Sequence, residues 1–164
     1  MFRPVILSDL VDGKLYLHSM PGRHEDFEKA KDDIRKYKIS KVVCLTPLEE
    51  IRSKSPEYYK AIKEDDIMFE LLMFPISDYG IPDNPNRFLQ IAKDIGKNLQ
   101  AGENILIHCG AGIGRTGTLA VMTLIGIGLT DEEAQMRVAV AGSFPETNIQ
   151  KNFIKWVAPY FYDK

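Results

Sequence analysis

One stretch, residues 105–117, limits the folds open to this chain more than any other. It reads Ile-Leu-Ile-His-Cys-Gly-Ala-Gly-Ile-Gly-Arg-Thr-Gly, so an apolar strand runs into a cysteine and a glycine-rich loop. A strand, a glycine-rich loop and a following helix are typical of a β-loop-α unit in an α/β sheet. The unit predicts parallel strands, with a ligand site where they end.

Strands and helices alternate along the rest of the chain. Hydrophobic periodicity predicts strands at residues 14–18, 41–45, 67–74 and 104–108. It predicts helices at 24–38, 57–63, 88–99 and 116–127, one opened by 130–133, and a last one after 143–147. We therefore expect an α/β fold with a mostly parallel central sheet and helices on both faces, formed by residues 1–164 as a single domain.

The charge balance argues against an overall attraction to nucleic acids or anionic lipids, because 21 Lys and Arg stand against 23 Asp and Glu. The longest apolar run, residues 119–129, is shorter than the roughly 20 residues that span a bilayer. Two cysteines cannot form a disulfide framework, and the N-terminus lacks a signal-peptide pattern. We expect a cytoplasmic protein without nucleic-acid or membrane partners, and a monomer by default.

Two nucleotide-binding interpretations of the glycine-rich loop disagree with its letters. The P-loop of nucleotide hydrolases needs a lysine before Ser or Thr, and no lysine stands in residues 109–117. Residues 112–117 match the dinucleotide fingerprint, but that motif needs a further strand ending in an acidic residue, and only helical patterns follow. Neither interpretation accounts for the adjacent histidine and cysteine.

Binding of a phosphoryl group uses every unusual residue of the loop. Glycines allow successive backbone N–H groups to converge on one point, and the following helix adds the positive end of its dipole. The residues that supply these N–H groups are Gly110, Ala111, Gly112, Ile113 and Gly114. Arg115 offers a fork of donors that suits two oxygens of a phosphate, sulfate or vanadate-type anion. The same positive field favours a thiolate at Cys109, which would be the nucleophile.

The pattern His108-Cys109-x5-Arg115-Thr116-Gly117 resembles the signature of the cysteine-dependent protein tyrosine and dual-specificity phosphatases. The short chain resembles their compact type, and its motifs are most similar to the kinase-associated branch. The resemblance implies the phosphotyrosine protein phosphatase II-like fold and hydrolysis without metal or cofactor. It implies that Cys109 forms a phosphocysteine and that Arg115 holds the phosphoryl oxygens. The Thr116 hydroxyl would ease departure of Cys109, and His108 would orient the loop or serve as a core residue.

The resemblance also implies an acid and a water-orienting side chain on other loops. Residues 74–82 resemble the family's general-acid loop and make Asp78 the proton donor. Asp83 is the second candidate, although an aspartate after proline is typical of a turn. Residues 145–150 resemble the late glutamine loop, with Gln150 at its later position and Glu146 in place of its earlier glutamine. A helix N-terminus explains Glu146 equally well.

The substrate and several side chains stay open at this level. Because the loop has no lysine, unlike the loop of the lipid phosphatases of this superfamily, it favours phosphorylated proteins or peptides, on tyrosine and also on serine or threonine. A phosphatase of lipid or RNA 5′-phosphates stays open as an alternative. A phosphoprotein-binding module on the same fold is the alternative, opposed by the presence of nucleophile, arginine and acid. Tyr58 and Tyr59 either deepen the substrate pocket or are partly packed surface residues. Cys44 is either a buried core residue or a resolving thiol for oxidised Cys109.

Overall fold

The computed structural model describes residues 1–162, which form five strands, seven α-helices and one 3₁₀ helix. The strands are β1 (Arg3–Val5), β2 (Leu15–His18), β3 (Ile39–Cys44), β4 (Glu70–Met73) and β5 (Asn104–His108). The helices are α1 (Phe27–Lys36), α2 (Leu48–Lys54), α3 (Pro56–Lys63), α4 (Pro85–Gln100), α5 (Gly114–Gly126), α6 (Asp131–Val140) and α7 (Asn148–Val157), followed by the 3₁₀ helix Ala158–Phe161. Within this range, no helix combines the length and the apolar character that crossing a membrane requires.

The five strands form one sheet in the order β1-β2-β5-β3-β4. Strands β2, β5, β3 and β4 are parallel, and β1 pairs antiparallel with β2 at one edge. The central strand β5 buries Ile105, Leu106 and Ile107 completely, as a parallel strand covered on both faces requires. The predicted α/β fold with a mostly parallel sheet is confirmed.

Helices cover both faces of the sheet, as the sequence predicts. On one face α4, α5, α6 and α7 pack against alternate strand residues such as Leu17 and Ile107. On the other face α1, α2 and α3 bury Phe27, Ile51 and Tyr58. Helix α5 is buried from Gly114 to Ile125, which explains why its sequence is apolar all round.

Three elements differ from the predicted ones. Of the strand predicted at residues 67–74, only Glu70–Met73 form a strand, β4. This edge strand pairs with Lys41–Cys44 of β3. Strand β1 has three residues and includes Pro4, so it is too short to produce a periodic pattern. Helix α2 buries only Ile51 and therefore lacks the apolar stripe from which a helix is predicted.

The carboxyl ends of the four parallel strands are aligned in one row. His18 of β2 pairs with His108 of β5, His108 pairs with Cys44 of β3, and Cys44 pairs with Met73 of β4. The segments that follow these residues therefore emerge at the same edge of the sheet. Ligands of open α/β sheets bind at such an edge, and the cysteine loop leaves β5 there.

Candidate active site

Cys109 follows the last residue of β5 and is 2% exposed. Its Sγ accepts a hydrogen bond from the backbone N–H of Gly112 at 3.3 Å. The chain can fold back to make this bond because Gly112 has φ +75°, and a Cβ there would collide with the His18 carbonyl group. Helix α5 begins at Gly114, so the positive end of its dipole points at the loop. The predicted juxtaposition of nucleophile, backbone donors and helix start is present.

Arg115 lies in the first turn of α5 and is 2% exposed. Its guanidinium group is hydrogen-bonded to oxygen acceptors from two other segments. Its Nη1 donates to Glu50 Oε2 at 2.9 Å and to the Ile76 carbonyl at 2.9 Å. Its Nη2 donates to Glu50 Oε1 at 3.0 Å and to Asp78 Oδ1 at 3.1 Å. Burial alone would lower the pKa of Arg115, but the hydrogen bonds that it donates to Glu50 and the nearby negative charges raise its pKa above the usual value. The guanidinium is therefore a cation with a fixed plane.

Glu50 is the site residue that the sequence interpretation missed. It lies on α2, shortly after the carboxyl end of β3, and also accepts from Lys54 Nζ at 2.9 Å. Burial acts to raise the pKa of Glu50, but hydrogen bonds from Arg115 and Lys54 outweigh it and lower the pKa. The sequence feature that could identify Glu50 is its position after a strand that ends at the ligand edge of the sheet. The segment itself has no apolar periodicity, so the sequence does not predict helix α2.

Asp78 lies beside the cysteine loop, as predicted for the proton donor. Its Oδ1 accepts from Arg115 and from the Tyr79 backbone N–H at 3.0 Å, and its side chain is 49% exposed. Asp83 is exposed and directly precedes Asn84, the N-cap of α4. Among residues 1–162, the carboxylates that contact Arg115 are those of Glu50 and Asp78. Within the same range, no group of three His, Cys, Asp or Glu side chains is arranged to hold a metal ion.

His108 is fully buried behind the loop and bridges two elements. Its Nδ1 lies 3.2 Å from the Cys109 carbonyl oxygen, which can only accept, so this nitrogen carries the proton. Its Nε2 then accepts from the Tyr58 hydroxyl, 3.0 Å away. Burial lowers the pKa of His108 to about 3, so the ring is neutral, and it raises the pKa of Tyr58 well above its usual range. The sequence leaves two interpretations of Tyr58 open, a side chain that deepens the pocket and a partly packed surface residue. Both are wrong, because this side chain is 0% exposed and belongs to the core.

Gln150 is fully buried at the start of α7 and joins two loops. Its Oε1 accepts from the Glu146 backbone N–H at 2.7 Å, and its Nε2 donates to the Gly80 carbonyl at 3.1 Å, two residues after Asp78. With Thr147, the N-cap of α7, it forms a capping box, which explains Gln150 as a helix-start residue. Glu146 precedes the N-cap and lies outside the first turn, so the helix N-terminus does not explain it. The Glu146 carboxylate lies against Gly114 at the other side of the loop.

Two further predicted side chains are deeply buried beside the loop. The Thr116 hydroxyl is buried and has no hydrogen-bond partner within the described part of the chain. The predicted bond from Thr116 to Cys109 is thus not formed here.

Cys44 is a free thiol with 0% exposure, and burial raises its pKa to about 12. That environment favours the core interpretation of Cys44 over a reactive thiol, and the redox role stays a prediction.

A family model described as "Swiss Army Knife protein, DSP-PTPase phosphatase domain" matches residues 4–160. Among curated proteins, "Tyrosine-protein phosphatase 1" of Caenorhabditis elegans is 46% identical over 46 residues, which are 27% of this chain and 4% of that protein. "Tyrosine-protein phosphatase 69D" of Drosophila melanogaster is 32% identical over 79 residues, 47% of this chain and 5% of that protein. The matches span only a small part of the length of these relatives.

Two solved structures are similar along nearly the whole chain. Kinase associated phosphatase with its catalytic cysteine replaced by serine superposes with a TM-score of 0.79 at 19% identity, covering 96% of each chain. Tk-PTP in its active form gives a TM-score of 0.71 at 25% identity, covering 96% of this chain and 97% of that chain. The first similarity, at this low identity, shows the fold alone.

The buried His108 predicts a specific dependence of stability on pH. Its pKa is about 3 in the folded protein, against about 6.5 for an unfolded histidine, so the unfolded chain binds the extra proton between these values. The free energy of unfolding should fall by ~1.4 kcal/mol per pH unit as the pH drops below about 6.5. Urea unfolding between about pH 7 and pH 5 measures this slope. The slope should become shallower in His108→Gln, with a remainder from His18, whose pKa burial also lowers, and it should persist in His24→Gln, whose side chain is exposed; equal slopes in all three proteins would contradict the assignment.

Removing the charge of Glu50 should destabilise the protein. Glu50→Gln leaves the buried Arg115 cation with the half-exposed Asp78 as its carboxylate partner, so we expect a loss of about 1–3 kcal/mol in the free energy of unfolding. Inorganic phosphate should restore part of the loss, because a dianion compensates the same guanidinium. Glu49→Gln is the matched control, since the neighbouring Glu49 side chain is 81% exposed. Similar losses for both variants in urea unfolding would exclude this role for Glu50.

Proposed function

Because the chain belongs to the family of DSP-PTPase phosphatase domains, we propose that it hydrolyses phosphate monoesters on proteins through a phosphocysteine intermediate. The observation that carries this proposal is the contact between Arg115 of the cysteine loop and Asp78 of the acid loop. It supports the proposal because the candidate phosphate-binding group and the candidate proton donor, which are 37 residues apart in sequence, are in direct contact. Residues 1–164 would act as one catalytic domain.

In the first step the Cys109 thiolate attacks phosphorus, so the S–P bond forms while the bond from phosphorus to the substrate oxygen breaks. The departing oxygen takes its proton from Asp78. The backbone N–H groups of residues 110–114 and the Arg115 fork hold the three other phosphoryl oxygens as charge moves onto them. The phosphoryl dianion enters beside Glu50, whose ion pair keeps the guanidinium plane fixed.

In the second step a water molecule attacks phosphorus, the S–P bond breaks, and inorganic phosphate leaves. Asp78, now ionised, takes a proton from this water. The buried Thr116 hydroxyl lies at the start of α5 and is proposed to donate to the sulfur as it departs. The amide oxygen and the amide nitrogen of Gln150 already form hydrogen bonds to the loops on either side. These bonds support a water-orienting role for Gln150 only indirectly.

Phosphorylated proteins or peptides fit the site better than polyanionic head groups. Two carboxylates, from Glu50 and Glu146, flank the loop, and residues 109–117 contain no lysine to balance additional phosphates. A substrate with one phosphoryl group is therefore favoured. We propose activity on phosphotyrosine and also on phosphoserine or phosphothreonine.

Turnover of nitrophenyl phosphate and of phosphopeptides in the presence of a metal chelator tests the proposal. The wild-type protein should release inorganic phosphate, whereas Cys109→Ser should have no measurable turnover because an alcohol in this loop is a far weaker nucleophile than a thiolate. Cys44→Ser, which alters the other cysteine, is the control and should stay active. Turnover that needs metal and survives in Cys109→Ser would refute the mechanism.

The proton donor can be identified by a matched pair of substitutions. Asp78→Asn removes the acid and should lower kcat by about 10²- to 10⁴-fold on a phosphotyrosine peptide. The loss should be smaller on nitrophenyl phosphate, because its leaving group needs less protonation. Asp83→Asn, five residues along the same loop, should change kcat little. A larger loss in Asp83→Asn would transfer the assignment to that residue.

A further inference from the structure

The carbonyl group of Gly112 is held from outside the cysteine loop by two side chains that the reaction above does not use. Arg3 of β1 donates from Nη2 to this oxygen at 2.6 Å, and Ser143, after α6, donates from Oγ at 2.6 Å. Both donors are more than 30 residues away from the loop in sequence. Ser143 is 0% exposed, so its bond to Gly112 is formed in the protein interior.

The Gly112 carbonyl belongs to the part of the loop with the greatest freedom to rotate. Gly112 has φ +75°, and glycine allows neighbouring peptide groups to turn with little steric resistance. The peptide between residues 112 and 113 is planar and trans, so a carbonyl directed outward forces the Ile113 N–H to point the opposite way. On its other side, Gly112 donates its own N–H to Cys109 Sγ. Fixing the carbonyl therefore fixes the direction of loop donors.

The segment after α6 is shaped to deliver these contacts. Arg3 also donates from Nη1 to the Ala141 carbonyl at 2.8 Å, so its fork connects this segment to the loop. Gly142 has φ +86°, and a Cβ there would lie 2.6 Å from Arg3 Nη1. The Phe144 backbone N–H donates to the Ile113 carbonyl at 3.3 Å. Two consecutive loop carbonyls are thus bonded by residues 143 and 144.

Arg3 also contributes a positive charge near the nucleophile. Burial lowers the pKa of Arg3, whereas a thiolate at Cys109 would raise it, because the two charges would attract each other. Arg115 approaches from the start of α5, whereas Arg3 approaches from the edge strand β1. A thiolate at Cys109 would therefore be attracted by two cations from different elements.

We propose that Arg3 and Ser143 are positioning residues that lock the peptide between Gly112 and Ile113 and so hold the N–H groups of the loop in their anion-binding direction. The inference rests on the proposed phosphatase reaction, because it assigns these residues to the loop that binds the phosphoryl group. The hydrogen bonds described for the Arg3 and Ser143 side chains all go to backbone carbonyl groups, those of Gly112 and Ala141. They act through the loop backbone.

Three measurements on Arg3→Met and Ser143→Ala test this role: the inhibition constant of orthovanadate, kcat and KM separately, and the rate of Cys109 alkylation by iodoacetamide at fixed pH. Arg3→Met should weaken orthovanadate binding and lower kcat/KM by about 10- to 100-fold, because a charged hydrogen bond to the loop is lost. Ser143→Ala should lower them by about 3- to 10-fold. Both variants should slow alkylation.

Two control variants remove similar bonds away from the loop. Arg137→Met breaks bonds from α6 to the Ile6 carbonyl and to Asp9, so it loosens the same N-terminal segment without touching Gly112. Thr123→Val removes a buried hydroxyl that donates to the Leu119 carbonyl at 2.9 Å within α5. Arg3→Met and Ser143→Ala should exceed these controls in all three measurements. Equal effects in test and control variants would overturn the proposal.

Arg3→Lys separates charge from geometry, because lysine keeps the cation but lacks the fork that reaches two carbonyls. Faster alkylation than in Arg3→Met, with vanadate affinity still reduced, supports positioning of the peptide. Full recovery of both would overturn it. If the wild-type protein has no turnover, the proposed function fails, while alkylation and vanadate binding still test the lock. If Arg3→Met does not fold, Ser143→Ala, which removes one oxygen atom, decides the outcome.

Discussion

A buried cation at the N-terminus of a helix is the interaction on which the rest of the site depends. Arg115 is 2% exposed in the first turn of α5, where the helix dipole already contributes positive charge. Such a cation is costly unless carboxylates compensate it. Glu50 from α2 and Asp78 from the loop after β4 supply that compensation. The need to neutralise one guanidinium therefore gathers three separate segments at the carboxyl edge of the sheet.

The two carboxylates differ in how readily each can separate from Arg115. The Glu50 side chain is 14% exposed and accepts from both terminal nitrogens of the guanidinium, Nη1 and Nη2, so separating it from Arg115 breaks two charged hydrogen bonds. The Asp78 side chain is 49% exposed and makes one contact with Arg115, so water can replace it. A phosphoryl group can thus take over the contact of Asp78 while Glu50 keeps the fork aligned. This division agrees with Glu50 as a fixed partner and Asp78 as the group that exchanges protons.

The sequence predicts those parts of the molecule that depend on local patterns. The strand, loop and helix around Cys109 follow from apolar periodicity and glycine placement, and the predicted family and α/β fold are confirmed. Glu50 and Tyr58 could not be assigned, because their partners Arg115 and His108 lie 65 and 50 residues away and no spacing rule connects them. Gln150 could be interpreted as a cap or as a functional residue, and its capping box with Thr147 accounts for the cap without testing the other role.

The aligned row of strand ends has a consequence for how the protein acquires its reactivity. The groups around Cys109 come from β1, α2, the loop after β4 and the segment after α6, so the loop is complete only when contacts far apart in sequence have formed. Contacts of this kind form late in folding, because their loop-closure entropy must be overcome first. During synthesis and refolding, Cys109 is therefore part of an incomplete loop, and its neighbours from the other segments gather around it when the sheet closes. Assembly of the sheet is in this sense the step that completes the site.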